Sequence, residues 1–105
     1  MPNVPDSQLV KQARREILVT LKSVYPSALP VEVLYRAVSV VIASREWDDF
    51  RADLIYLCEK GYAQPRLHPD DPNGRKTPWR RRWVRLTPAG VEVADSCVHD
   101  PALDL

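Results

Sequence analysis

Apolar positions recur along the first half of the chain at steps of three and four. Val10, Ala13, Ile17, Leu21 and Val24 form one such stripe, with Leu18 and Tyr25 beside it and Arg14, Arg15 and Lys22 off it. That is the period of an amphipathic helix. Asp6 or Ser7 stands where a cap is expected, and Pro26 where the helix must end. A second stripe, Val31, Leu34, Val38 and Val41, predicts a helix from about Pro30 to Val41 or Ile42. Val33, Ala37 and Val40 widen its apolar face beyond what one core contact needs. Either a third helix covers the excess, or the strip meets another chain. A third stripe, Trp47, Phe50, Leu54, Leu57 and Cys58, predicts a helix capped by Ser44 and stopped by Gly61 in left-handed backbone.

The period then changes from helical to alternating. Tyr62 to Leu67 reads as a strand, with Pro65 marking it as an edge. His68 to Gly74 is turn-forming, and Asn73-Gly74 signals a hairpin tip. Trp79 to Leu86 reads as the return strand, with Arg81, Trp83 and Arg85 on one face and Arg82, Val84 and Leu86 on the other. Thr87-Pro88 then caps and opens a short helix through Val91 and Ala94. The elements predict a mainly α protein with a small β-hairpin, an α+β fold. Residues 1–6 read as a flexible arm, 7–95 as one domain and 96–105 as an acidic tail.

Composition refines this picture. A chain of 105 residues is the size of one domain. Fifteen Lys and Arg against fourteen Asp and Glu leave a net charge of +1. The total therefore says nothing about a polyanionic partner, but its distribution does. Residues 1–65 are neutral. Residues 66–85 carry seven Lys and Arg against Asp70 and Asp71, and residues 86–105 carry four acids and no Lys or Arg. The longest apolar stretch, Ala37 to Ala43, is too short to cross a membrane. The start lacks the pattern of an export signal. A cytoplasmic protein with reduced Cys58 and Cys97 is the expectation.

Two strings carry a resemblance. Asp53-Leu54-Ile55-Tyr56-Leu57-Cys58-Glu59-Lys60-Gly61-Tyr62 resembles a recognition helix running into a wing. Leu86-Thr87-Pro88-Ala89-Gly90 resembles the exit from that wing. Both patterns are similar to those of MarR-type and PadR-type regulators, and small phage and prophage proteins of this size look alike. The resemblance implies a winged helix-turn-helix domain: a three-helix core, a two-stranded wing and a short C-terminal helix. Such domains usually place the third helix in the DNA major groove and the wing on phosphates.

The residue chemistry supports the wing more than the helix. Arg75, Lys76, Arg80, Arg81 and Arg82 are the candidate phosphate contacts, with Trp83 as a stacking surface. On the third helix, Arg45, Arg51 and Tyr56 are weaker candidates. They share its outer side with Asp48, Asp49, Asp53 and Glu59, which repel phosphate. The first reading is thus a small transcriptional or phage-associated regulator that binds double-stranded DNA. The alternative is a protein-interaction module, using the acidic third helix and the broad second one. That breadth also leaves room for a homodimer. Catalysis is not expected: His68 and His99 lack partners at a recognisable spacing. No cysteine pair has metal-ligand spacing, and no cofactor fingerprint is present.

Overall fold

The computed structural model describes residues 6–67 and 69–95. Four helices and a three-stranded antiparallel sheet follow in the order α1 (Asp6–Lys22), β1 (Leu29–Pro30), α2 (Val31–Val41), α3 (Trp47–Glu59), β2 (Ala63–Arg66), β3 (Trp83–Leu86) and α4 (Pro88–Ala94). A single 3₁₀ turn, Trp79–Arg81, precedes β3. The arm, His68 and the acidic tail with Cys97 and His99 lie outside the described residues, apart from Asp6, which already belongs to α1.

The helical stripes meet where their periods predict. Ile17, Leu18 and Leu21 of α1, Leu34 and Val38 of α2, and Phe50, Leu54 and Leu57 of α3 form one buried cluster. Val84 and Leu86 of β3 close it from the sheet side. Each such side chain contributes about 1.5–3 kcal/mol by leaving water. Cys58 packs at the margin of this core, and burial pushes its thiol up to about 11. Among the described residues no helix is long and apolar enough to cross a membrane.

Local chemistry sets the boundaries. Gly61 takes φ +81° and ends α3. Thr87 caps α4, its Oγ1 accepting from the Gly90 N–H at 3.1 Å and donating to the Gly61 carbonyl at 2.6 Å. The sheet order is β1-β3-β2, so Pro65 does stand on an edge strand.

Four expectations are corrected. First, the sheet has three strands rather than two. Leu29 and Pro30, the latter expected at the start of the second helix, pair with Val84 and Trp83, and the Val31 N–H donates to the Arg82 carbonyl at 2.8 Å. Second, α3 is not capped by Ser44. A turn closed by Arg45 N–H and Ile42 O keeps Ile42 in the core, and the helix starts after Glu46. Third, the return strand does not begin at Trp79. The 3₁₀ turn after Pro78 breaks the alternation, so Arg81 leaves the face that Trp83 shares with Arg85. Fourth, the hairpin connection is longer than the turn-forming stretch that Asn73-Gly74 closes, since β2 ends at Arg66 and β3 starts only at Trp83. Gly74, at φ +68°, closes a turn on the Asp71 carbonyl within a long connection.

Candidate nucleic-acid interface

The connection between β2 and β3 is organised from inside. Oδ2 of Asp71 accepts from the Lys76 N–H at 3.0 Å and the Thr77 hydroxyl at 2.7 Å. These bonds, the hydroxyl's first, hold its carboxyl below its ordinary value. Arg82 braces the same loop. Its Nε donates to the Thr77 carbonyl at 3.0 Å, its Nη2 donates to the Gly74 carbonyl, and its guanidinium stacks 4.5 Å from the Trp79 ring. Arg82 thus spends two of its donors on the loop. A hydrogen bond from a charged group contributes about 1.5–3 kcal/mol, so Arg82→Ala should increase local opening at least about tenfold. Faster tryptic cleavage after Arg75 and Lys76, with little change in the global melting point, is the expected reading.

Folded this way, the loop faces the start of α3. Tyr35, Trp47 and Phe50 form an aromatic cluster, with Trp47 set edge-on to Tyr35 at 5.4 Å and Phe50 centred 5.1 Å from Tyr35. Arg80 lies over Trp47, 4.4 Å from its ring centre, and reaches Glu32 of α2 at 3.4 Å. Between this floor and the loop runs an open groove of about 550 Å³. Arg51, Arg75, Lys76, Arg80, Arg81 and Arg82 line it together with Trp47 and Trp79, and among the described residues no acidic side chain does. Arg51, Arg75, Lys76 and Arg81 are exposed to solvent. Flexible cations over aromatic surface suit a phosphate-bearing chain, since guanidinium forks match phosphate oxygens.

The remaining candidates lie elsewhere. Arg45 points into the seam between α1 and α3, where its Nε and Nη2 donate to Asp53 Oδ2 at 3.0 and 2.8 Å. Asp53, expected on the outer side, is buried at 2% exposure. Burial pushes its carboxyl above the ordinary value against the pull of Arg45 and Arg14. Arg14 of α1 approaches Asp53 Oδ1 to 3.7 Å and stacks 3.6 Å above the Tyr56 ring. Tyr56 is therefore half-buried against α1. Trp83 stands on the outer face of the sheet at 48% exposure.

Sequence reasoning missed Trp47 as a groove residue because its stripe reads as core. Its position four residues before Arg51 was the available signal, since those two share a helix face. The outer side of α3 keeps Asp48, Asp49 and Glu59 exposed. Among the described residues no cluster of His, Cys, Asp or Glu is placed to hold a metal ion. No protein-family model, curated protein or solved structure matches this chain.

Proposed function

We propose that the chain is a winged-helix domain that binds duplex DNA, acting as a small transcriptional or phage-associated regulator. The element order supports the fold reading, with α1–α3 as the core and the β2–β3 connection as the wing. One observation carries the function: six cations from the wing and the start of α3 converge on a groove that no carboxylate lines among the described residues, Glu32 pairing with Arg80 beside it. Phosphates of one strand would lie along Arg75, Lys76 and Arg81, with Arg51 reaching the same backbone from α3. The exposed Asp48, Asp49 and Glu59 keep the rest of α3 away from a polyanion. Binding is then dominated by backbone contacts, tolerant of sequence and steeply salt-dependent. Anisotropy of a labelled mixed-sequence duplex at low salt tests this; absence of binding would overturn it.

A second reading, a protein-interaction module, is favoured by α2. Val33, Val40 and Val41 are 46%, 85% and 55% exposed, so among the described residues no helix covers the widened apolar face. A chain that ignores duplex at low salt yet sediments as a dimer would favour that reading.

A further inference from the structure

The outer face of the sheet carries a second basic and aromatic surface, beyond the groove at α3. In the β2–β3 ladder Arg66 pairs with Trp83 and Gln64 pairs with Arg85. The opposite face of these strands holds buried Ala63, Val84 and Leu86, so the first four side chains share the outer one. They border a shallow recess of about 750 Å³ completed by the Pro26–Ala28 turn, and among the described residues no carboxylate lines it. The Arg85 guanidinium, two residues along β3 from the indole, reaches across to Gln64 Oε1 of β2 at 3.4 Å.

The chemistry of this patch is specific. A half-exposed indole offers a flat π-face to another flat ring. Guanidinium groups at adjoining ladder positions suit the phosphates on either side of that ring. The interior of a duplex keeps its bases stacked on one another and presents no free face to Trp83. An unpaired strand does. We propose that the sheet face binds single-stranded DNA, with one base stacked on Trp83 and the flanking phosphates on Arg66 and Arg85.

The surface is continuous with the groove. Arg66 and Trp83 also line an intermediate recess, and that recess shares Arg81 and Arg82 with the groove at α3. Among the described residues that line this route the one acid, Asp71, is buried and turned toward Lys76 N–H and the Thr77 hydroxyl. A strand leaving a bound duplex can therefore follow cations to Trp83. The junction preference rests on the duplex reading; the strand site does not.

The test compares a blunt duplex, the same duplex with a thymidine overhang of about eight nucleotides, and the overhang strand alone. Wild-type protein should bind the overhang duplex about 5- to 100-fold more tightly than the blunt one. In Trp83→Ala that ratio should fall to about one, whereas Trp83→Phe keeps much of it. A wild-type ratio of one, or a gain that survives Trp83→Ala, overturns the proposal. Should the blunt duplex not bind, the duplex reading fails separately. The strand alone then decides: Trp83-dependent binding supports the sheet-face site, and no binding overturns it.

Discussion

Asp53→Ala is expected to lower the free energy of unfolding by about 3–5 kcal/mol, the cost of removing one partner from a buried ion pair. Asp53 is the shared counter-ion of the α1–α3 seam. Its side chain is 3% exposed, and those of Arg45 and Arg14 are 10% and 19% exposed. Alanine would leave two poorly solvated guanidinium groups facing each other across a small cavity. Among the described residues the Nε of Arg14 already has no hydrogen-bond acceptor, and alanine would remove its ion-pair partner as well. Arg14 would also lose the anchor that holds it over Tyr56. Asp53→Asn should cost less, because an amide oxygen can still accept from Arg45. Urea denaturation measures both; a loss below about 1 kcal/mol for Asp53→Ala would place the pair in surface-like solvent.

Gly90→Ala should be destabilising by about 1–3 kcal/mol or more, against the sign that helix propensity predicts. In an exposed helix, alanine gains up to about 1 kcal/mol over glycine. At this position a Cβ would lie 2.0 Å from the Tyr62 carbonyl oxygen and 2.8 Å from Leu86 Cδ1. The carbonyl has little freedom to yield, since it accepts from the Thr87 N–H at 3.0 Å. Thr87 in turn ties α4 to Gly61. The chain must shift α4 or break that knot, and overpacking of this kind costs about 1–3 kcal/mol, occasionally more. Thermal unfolding gives the answer directly. A higher melting point for Gly90→Ala would mean that α4 does not approach Tyr62 this closely.

Periodic and local signals were the legible part of the fold. Ile17 with Leu21, Leu34 with Val38, and Phe50 with Leu54 each fall on one helix face, and each pair is buried. Gly61 and Thr87-Pro88 act through their own backbone chemistry, so a single sequence suffices to place them. What escaped depends on partners distant in the chain. β1 is two residues long and exists through its pairing with β3, more than fifty positions away. Asp53 lies on the polar side of its helix, and nothing in α3 announces that Arg14 of α1 will cover it. Among the candidate contacts, Arg75, Lys76, Arg80, Arg81 and Arg82 do border the groove with Arg51. Composition cannot tell that Arg82 turns inward to the loop carbonyls, or that Arg45 turns away to Asp53. Both are decided by which acceptor the tertiary fold brings near. Trp83 was visible as a stacking candidate, but its neighbour Arg66 was not, because the ladder register that aligns them is set by the three-stranded sheet.

The salt dependence of duplex binding tests the central claim most directly. The measurement compares wild type with Arg75→Ala/Lys76→Ala/Arg81→Ala, three exposed side chains that brace nothing in the loop. Wild-type affinity should fall linearly in a plot of log K against log salt. The triple variant should show a slope smaller in magnitude by about 0.9 for each phosphate that is no longer neutralised, or about 2.7 if all three side chains touch the backbone. No binding by wild type at low salt, or an unchanged slope in the variant, would contradict the account.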